Sequence, residues 1–369
     1  MRIKGIYDSV IRGIERLIER VDHLKTVIAE DRAIALKKPI YSSVQWTPEQ
    51  QRQFDKYWLK VYGKKIPNKW HRLYEAANGV FAVDYIPEKM YTTKIEPALN
   101  DRRYAMALED KSMVETLSRD CKCIVPETIV LCTGGQFLDH DRKPISKDKA
   151  IDELIGKAFV LKPTVGSSSG HGVTFVQEDE ADKQCITTLL AKQGKDFIVQ
   201  SVIQQHPIFA SFNNSSINTI RITTFIADDS IHYVPLAFRM GRKDKRVDNI
   251  HAGGIVVGVR DDGTLLANAY ELGYGTKTVK YQKHPDSQII FSSIRLPAIP
   301  DVIQAAYRVH SRMPHIGIIS WDFTVDKDAN AVLIEANISG QSIWFPQIVN
   351  GKGAFVEYTS SVLRRIAKG

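Results

Sequence analysis

The segment from Phe159 to Val176 constrains the fold more than any other part of the chain. It reads FVLKPTVGSSSGHGVTFV: an apolar strand ending in Lys162 and Pro163, a loop rich in glycine and serine, and a second apolar run. A lysine at the end of a buried strand fixes one positive charge, and a Gly/Ser loop can lay backbone N–H groups and hydroxyls over anionic oxygens. The segment therefore predicts a phosphate-binding loop between two strands.

Two better-known interpretations of this loop do not fit. In the P-loop the lysine follows the glycines and a helix comes next, whereas here Lys162 precedes the loop and residues 173–176 are strand-like. The stretch Gly166 to Gly170 also matches G-x-S-x-G, with Ser168 as the nucleophile of a serine hydrolase. That arrangement requires a helix directly after the serine, so the following strand argues against it.

Composition leaves the class of protein broad. The chain has 369 residues, of which 43% are hydrophobic and 25% charged, so we expect a soluble globular chain of about two or three domains. Its formal net charge of +8 is compatible with nucleic acid, an anionic membrane surface, or phosphate- and carboxylate-bearing substrates. The four cysteines form no CxxC pair, which argues against a zinc site. No signal peptide or apolar run of about 18 residues is evident, so the expected location is the cytoplasm, without a membrane span.

The N-terminal third is predicted to be helical and rich in aromatic residues. Apolar residues recur at helical spacing, with arginines and lysine between them, at Ile6, Val10, Ile14, Leu17, Ile18, Val21, Leu24 and Ile28. Two interpretations of this basic amphipathic helix are open: packing on its own domain, or contact with a partner or a membrane surface. The aromatic residues between positions 39 and 100 stand among lysines. This is typical of a core, but also of a nucleic-acid-binding module.

Beyond residue 110 the pattern alternates between helices and strands. A helix carries Lys111, and Asp262 with Gly263 marks a hairpin turn. Strands are expected at residues 123–131, 159–162, 173–176, 197–203, 218–226, 232–239, 254–259, 317–325 and 331–334. Further helices are expected at residues 148–155, 179–192 and 352–366.

A second group of polar residues lies near the C-terminus. Asp322 stands in the apolar run WDFTV and Glu335 and Asn337 stand in LIEAN, with a turn at residues 326–330 between them. An antiparallel hairpin of this length can bring Asp322 and Glu335 side by side, and Glu335 and Asn337 point to one face. Each residue alone is also compatible with an exposed polar position. Together they are typical of magnesium ligands, because magnesium completes its shell with water and substrate phosphates.

These residues, in this order, resemble the ATP-grasp superfamily. The matching features are Lys111 after Asp110, Lys162 before Gly166-Ser167-Ser168-Ser169-Gly170, the hinge Gln200-Ser201-Val202-Ile203, and Asp322, Glu335 and Asn337. Their spacing is similar to that of D-alanine:D-alanine ligases, and the whole chain looks most like the sugar-transfer-associated ATP-grasp group. The resemblance implies an α+β ATP-grasp fold with a helical N-terminal or substrate region at residues 1–105. A lid-side subdomain at 106–200 and a catalytic subdomain at 201–369 would clasp ATP.

The resemblance also implies a role for each position. Lys111 and Lys162 would neutralise phosphate oxygens of ATP, and the loop at residues 166–172 would close over the phosphates as a lid. The hinge backbone around Val202 would bind adenine. Two magnesium ions would be held by Asp322, Glu335 and Asn337.

The chain departs from the D-alanine:D-alanine ligase pattern at Ser320, where those enzymes carry an arginine that stabilises the tetrahedral intermediate. That substrate is therefore not expected. Arg221 and Arg239, both within predicted strands, are the candidates for the replacement cation, since a guanidinium can hold a carboxylate or offset an oxyanion. Either arginine is also compatible with a surface strand. Candidates for the acceptor site are Asn218, Asn249 and His251.

The function that the resemblance implies is an ATP-dependent carboxylate–amine ligase that acts through an acylphosphate and releases ADP. The expected substrates are a carboxylate on an acidic sugar of a bacterial surface-polysaccharide precursor, and an amino acid or other amine. The alternatives are a peptide or amino-acid ligase, or a phosphotransferase of the same fold. A basic nucleic-acid-binding module is a remote alternative because it leaves the Asp322 group without a role, so no nucleic-acid partner is expected. Peripheral membrane association and the oligomeric state stay open.

Overall fold

The computed structural model describes residues 2–166, 172–243, 253–272 and 278–367, and the chain forms two compact units. One unit combines Met1–Leu99 with Gly340–Gly369, and the other is Asn100–Ser339. The chain therefore begins the first unit, builds the second, and returns to complete the first. The domain boundaries expected after residues 105 and 200 stay predictions.

Helices account for most of the first unit and flank the sheets of the second. Their bounds are α1 Arg2–Leu36, α2 Lys38–Tyr41, α3 Pro48–Tyr62, α4 Lys69–Asn78, α5 Glu88–Met90, α6 Glu96–Leu99, α7 Arg102–Leu108, α8 Lys111–Asp120, α9 Lys147–Asp152, α10 Lys183–Lys192, α11 Pro207–Ala210, α12 Ile299–His310, α13 Trp344–Asn350 and α14 Thr359–Ala367. A π-helical turn, Tyr91–Ile95, joins α5 to α6. Among the described residues, no helix has the length and apolar character needed to cross a membrane.

All strands among the described residues belong to the second unit. Their bounds are β1 Thr128–Thr133, β2 Gln136–Leu138, β3 Phe159–Pro163, β4 Thr174–Val176, β5 Phe197–Ser201, β6 Thr219–Ala227, β7 Ser230–Met240, β8 Ile255–Val259, β9 Leu265–Glu271, β10 Val279–Tyr281, β11 Ile318–Val325 and β12 Ala331–Asn337. They form a five-stranded sheet of order β2-β1-β5-β3-β4 and a seven-stranded sheet of order β10-β9-β8-β7-β6-β11-β12. Every pairing in both sheets is antiparallel, and the α+β fold class is confirmed.

Helix α3 illustrates how local sequence builds the first unit. Thr47 Oγ1 accepts a hydrogen bond from Gln50 N at 3.2 Å, and Gln50 Oε1 accepts one from Thr47 N at 2.9 Å, so the helix begins with a capping box. Phe54 and Trp58 are one turn apart and fully buried, and the Phe54 ring lies 5.2 Å from that of Trp46. These aromatic side chains therefore form a core, which accounts for this part of the aromatic stretch.

The seven-stranded sheet has one apolar and one polar face at its β6–β11 pair. Ile222 and Phe323 are fully buried in the main hydrophobic core of the unit. Arg221 and Asp322, which alternate with them along the strands, are paired across β6 and β11. Because side chains alternate between the two faces of a strand, one face packs on the core and the other collects polar groups.

The expected element bounds need several corrections. The strand predicted at residues 123–131 begins only at Thr128, because Pro126 supplies no backbone N–H. The closing helix predicted from residue 352 begins at Thr359, after the 3-10 turn Val356–Tyr358. Helix α12 was not predicted, although Pro300 stands in its first turn. The hairpin turn at Gly263 is confirmed, and it joins β8 to β9.

Candidate functional site

Lys162 lies near the end of β3, opposite Ile198 of β5. The residue is only 8% exposed. Burial, and after it the charge of Lys111, lower the pKa of Lys162 from 10.5 to about 8, although Glu335 and Glu115 attract the charged form. A positive charge held at this depth favours an anionic ligand, because an anion would offset the loss of hydration.

Lys111 opens helix α8 and lies close to the same strand end. The carboxylate of Asp110 caps the helix by accepting from Ser112 N at 2.8 Å, and Lys111 N donates to Thr164 O at 3.0 Å. The side chain of Lys111 is largely buried, and its Nζ lies 3.2 Å from Glu335 Oε1. The start of α8 is therefore fixed against the segment that follows β3.

Both lysines line one pocket, with about 330 Å³ of empty space, which we call the lysine pocket. Its walls are formed by Glu109, Lys111, Val114, Glu115, Val125, Pro126, Lys162, Gln200, Leu333, Ile334, Glu335 and Ala336. The lining combines apolar side chains with two ammonium groups and three carboxylates, and the ammonium groups are the ones that can contact an anionic ligand.

Gln200 supplies a hydrogen-bond acceptor in this pocket. Its Nε2 donates to Pro126 O and to Thr128 Oγ1, each at 3.3 Å, whereas its Oε1 is buried and has no hydrogen-bond partner among the described residues. An unpaired buried acceptor costs free energy, so this position favours a ligand that donates a hydrogen bond. The exocyclic amino group of adenine is such a donor.

Glu115 is a pocket residue that the sequence reasoning missed. It is buried, and its carboxylate accepts hydrogen bonds from Arg119, Arg142 and Thr128, each at 2.7 Å. The network joins α8 to β1 and to the segment beyond β2. Its position four residues after Lys111 was the available signal, because residues at that spacing share one face of a helix.

The β11–β12 hairpin brings the three predicted metal ligands together. Asp322 pairs with Glu335 across the hairpin, and Ser320 pairs with Asn337. Asn337 Nδ2 donates to Asp322 Oδ2 and to Ser320 O, both at 3.3 Å. Asp322 is buried, whereas the side chain of Glu335 is about one third exposed.

Arg221 and Arg239 surround Asp322, and we call these three residues the arginine cluster. Arg221 Nε donates to Asp322 Oδ1 at 2.6 Å and Arg221 Nη2 donates to Oδ2 at 2.9 Å, while Arg239 Nη1 donates to Oδ1 at 3.1 Å. Burial alone would raise the pKa of Asp322, but the attraction of Arg221 and Arg239 outweighs it and holds the pKa below its usual range. The carboxylate is therefore ionised and doubly paired.

The residues present fit magnesium only in part. The three guanidinium N–H groups and the Asn337 amide take all four acceptor positions of Asp322. Glu335 pairs with Lys111 through one oxygen, and the amide oxygen of Asn337 accepts no hydrogen bond from the described residues. Within the described part of the chain, no group of three or more His, Cys, Asp or Glu side chains could hold a metal ion. Glu335 and Asn337 are thus the available protein ligands, and other oxygens must complete the shell.

The glycine-rich loop is described only at its two ends. Gly166 has φ +73° and Gly172 has φ +72°, and a Cβ on Gly172 would lie 2.9 Å from Cγ of Pro163. Both ends therefore favour glycine, since other residues rarely adopt positive φ. The predicted phosphate ligands Ser167, Ser168, Ser169 and Gly170 lie outside the described residues.

Of the three predicted acceptor residues, Asn218 lies among the described residues. Asn218 is fully buried: its Nδ2 donates to Phe209 O and Asn213 O, and its Oδ1 accepts from Gly241 N. These bonds hold backbone segments together, so the amide has little capacity left for a substrate. Asn249 and His251 lie outside the described residues.

The predicted hinge follows directly from β5. Ser201 is the last residue of the strand, and its N–H donates to Glu127 O at 2.8 Å. Val202 is 41% exposed, and Ile203 is half-buried. A branched apolar side chain, exposed two residues after Gln200, is available to pack on a flat ring.

A profile of the family described as sugar-transfer-associated ATP-grasp matches residues 90–362, about three quarters of the chain. The chain belongs to this family. The predicted ATP-grasp resemblance is therefore confirmed, down to the sugar-transfer-associated group. The match includes both predicted lysines, the hinge, the arginine cluster and the β11–β12 hairpin.

The solved structures that match this member of the ATP-grasp family share little sequence with it. The VanG D-Ala:D-Ser ligase from Enterococcus faecalis has a TM-score of 0.39 and 13% identity, over 70% of this chain and 61% of that one. The N5-carboxyaminoimidazole synthetase from Staphylococcus aureus, complexed with ADP, has a TM-score of 0.40 and 12% identity, over 69% and 52%. The L-amino acid ligase from Bacillus licheniformis has a TM-score of 0.38 and 10% identity, over 71% and 48%. The chain thus spans about half to three fifths of these structures. A search of curated proteins found no match.

Proposed function

We propose that this chain is an ATP-dependent carboxylate–amine ligase that forms an acylphosphate. The observation that carries the proposal is the proximity of the lysine pocket and the arginine cluster, which share the β11–β12 hairpin. One site suits a nucleoside triphosphate, and the other can hold carboxylates or offset oxyanions. A ligase needs both.

Nucleotide binding is assigned to the lysine pocket. Gln200 Oε1 would accept a hydrogen bond from the adenine amino group, and the hinge at Ser201, Val202 and Ile203 would contact the ring. Lys111 and Lys162 would contact phosphate oxygens, which offset the burial of the Lys162 charge. The Gly166 to Gly170 segment, with its serines, is proposed to cover the phosphates. Family membership supports ATP as the nucleotide.

The proposed reaction has two steps. A carboxylate oxygen of the first substrate attacks the γ-phosphorus, and the bond between that phosphorus and the β,γ-bridging oxygen breaks to release ADP. The amine then attacks the acyl carbon, and inorganic phosphate leaves with its bonding electron pair while the nitrogen loses a proton. Arg221 and Arg239 are assigned to the negative charge that develops on the acyl oxygen, in place of the arginine missing at Ser320.

Magnesium would be held by Glu335 and Asn337, together with substrate phosphates and water. When bound, it would offset the charge of the transferring phosphoryl group. Two ions are predicted from the family resemblance, and the second would need Asp322, whose acceptor positions are taken by Arg221, Arg239 and Asn337.

The acid is proposed to be a sugar carboxylate, such as that of a uronic acid in a surface-polysaccharide precursor, and the amine an amino acid. The family description associates these ATP-grasp proteins with sugar transfer. The basic balance of the chain, +8, also favours an acidic substrate.

The experiment is an ADP-release screen. The full chain is incubated with Mg-ATP, uronic acid-bearing oligosaccharides and mixed amino acids, and products are identified by mass spectrometry. We expect ADP, inorganic phosphate and an amide, in equal amounts and only when acid and amine are both present. Arg239→Lys is an informative variant, because it keeps the positive charge but removes the planar guanidinium group. It should lower turnover and leave the Mg-ATP-dependent rise in melting temperature unchanged.

Two outcomes would refute this proposal and support another function. Phosphate retained on the acceptor, with no amide, would indicate a phosphotransferase of the same fold. Amide formation between two amino acids, with no use of the sugar acid, would indicate a peptide or amino-acid ligase.

A further inference from the structure

Helix α1 carries an apolar stripe that the described part of its unit does not cover. The exposed fractions lie between 42% and 61% at Ile14, Leu17, Ile18, Val21, Leu24 and Ile28. We call Ile14, Leu17, Val21, Leu24 and Ile28 the α1 stripe. Contiguous apolar patches of this kind are uncommon on monomers and mark interaction surfaces.

The helix packs on its own unit through a different face. Ile34 is buried, and Asp31 Oδ1 lies 2.6 Å from Lys89 Nζ. Residues 26, 27, 30, 33 and 34 are all at least half-buried, whereas Val21, Leu24 and Ile28 are exposed. These half-buried and buried residues begin at Thr26, and the last residue of the stripe is Ile28. The stripe is therefore not an extension of the core.

The spacing of the stripe is that of a coiled coil. Its members follow one another at intervals of three, four, three and four residues, and Ile3, Tyr7 and Val10 continue this spacing toward the N-terminus in the sequence. In heptad terms Ile14, Val21 and Ile28 are a positions, and Leu17 and Leu24 are d positions. A β-branched residue at a and leucine at d is the combination that favours parallel two-stranded coiled coils.

We propose that the α1 stripe is the dimer interface of this protein, in which two copies of the chain pair as a parallel two-stranded coiled coil over about residues 14–28. Two such stripes together bury roughly 1,000 Å², which is the lower limit for a specific interface. A second copy presents the same heptad in register, whereas an unrelated surface has no reason to match the 3-4 spacing.

The charged residues beside the stripe provide a test that separates a second copy of the chain from an anionic membrane. In a parallel pair, the g position Arg20 of one helix faces the e position Lys25 of the other. This like-charge contact weakens the dimer, whereas both residues would favour anionic lipid. The Lys25→Glu variant therefore acts in opposite directions on the two kinds of binding.

The first test measures mass in solution. Light scattering during size-exclusion chromatography should give a dimer for the full chain at tens of micromolar, and a monomer for the double variant Leu17→Asp/Leu24→Asp. His23→Asp is the matched control, because it introduces the same residue at an exposed position outside the stripe. A monomeric wild type would overturn the proposal, as would a double variant that stays dimeric.

The second test fixes the orientation. Ile14→Cys and Ile28→Cys should each form an intermolecular disulfide with the same position of the second copy, since equivalent a positions meet only in a parallel pair. His23→Cys should not cross-link, and the wild-type chain measures the background of its own four cysteines. Cross-linking at only one of the two a positions would contradict parallel pairing.

The third test compares the dimer with a membrane. Lys25→Glu replaces two like-charge contacts per dimer with opposite charges and should tighten the dimer about fivefold at low salt. If Lys25→Glu weakens binding to vesicles of equal phosphatidylglycerol and phosphatidylcholine and does not lower the dimer dissociation constant, measured by sedimentation over a dilution series, the stripe binds membranes and the dimer is refuted.

Discussion

Lys162→Met offers a prediction in which stability and ligand binding move in opposite directions. The folded chain holds the pKa of Lys162 at about 8, against 10.5 in the ordinary case, because the side chain is buried beside Lys111. One unit of pKa corresponds to about 1.4 kcal/mol, so the charged lysine destabilises the folded state by about 3 kcal/mol at pH 7. Methionine has a similar length and no charge, so the variant should be more stable than the wild type by about this amount.

The sign of the pH dependence follows from the direction of the shift. Between pH 8 and 10.5 the unfolded chain binds more protons at this position than the folded chain does, so wild-type stability rises with pH in that window. The penalty is present in full below about pH 8 and disappears above 10.5. The difference between Lys162→Met and wild type should therefore fall from about 3 kcal/mol at pH 7 to about 1 kcal/mol at pH 10.

The assay is urea unfolding of the full chain without nucleotide at both pH values, together with melting temperatures in the presence and absence of Mg-ATP. Mg-ATP should raise the melting temperature of the wild type and not that of Lys162→Met. Lys157→Met is the control, because Lys157 is exposed and pairs only with Glu153 at 3.8 Å in the described structure. Its stability should change by less than about 1 kcal/mol at either pH.

Two results would refute this reasoning. If Lys162→Met is less stable than wild type at pH 7, or if the difference is the same at pH 7 and 10, the buried charge is not the cause. If the variant keeps the Mg-ATP shift, Lys162 does not contact the nucleotide.

Three further predictions concern other parts of the chain. Glu335→Gln should abolish the magnesium-dependent part of the ATP-induced rise in melting temperature, measured by titrating Mg²⁺ at fixed ATP, whereas Glu153→Gln should not. Glu88 is buried, and burial raises its pKa to about 8. The carboxylate that forms as pH rises destabilises the folded chain, so Glu88→Gln should raise the melting temperature at pH 8 but not at pH 4.5. Gly172→Ala should lower the free energy of unfolding by at least about 1 kcal/mol and weaken the Mg-ATP shift, because positive φ and a close contact coincide there. Gly156 also has a positive φ, +67°, but a Cβ added there would meet no neighbouring atom within 4 Å. Gly156→Ala should therefore lower the free energy of unfolding by less than Gly172→Ala does, and it should leave the Mg-ATP shift intact.

The parts of the site that depend on local periodicity could be predicted from the sequence. Alternation along two strands joined by a short turn is enough to place Asp322 beside Glu335, and to put Asn337 on the same face as Glu335. The helical start at Lys111 likewise follows from Asp110, which is a preferred N-cap residue. Such inferences need only neighbours in the chain and the geometry of one element.

Contacts between distant segments could not be predicted in this way. Arg221 precedes Asp322 by 101 residues, and their pairing exists because β6 is hydrogen-bonded to β11. The sequence offered two candidate arginines but no indication that both would hold the same carboxylate. Asn218 was predicted to bind substrate, and its local sequence is that of any polar strand residue. In the structure its amide instead holds three backbone groups from other segments.

The charge distribution of the site connects stability to ligand choice. The lysine pocket is lined by Lys111 and Lys162 and by three acids, of which Glu115 is paired with two arginines, Glu109 accepts a hydrogen bond from Ser339 N, and Glu335 pairs with Lys111. An anion that enters it regains part of the penalty of about 3 kcal/mol that the charged Lys162 imposes on the folded chain. Adenosine has the same base and sugar as ATP but carries no phosphate. Discrimination between adenosine and ATP should therefore arise mainly from the phosphates, and Lys162→Met should reduce it by removing the buried charge.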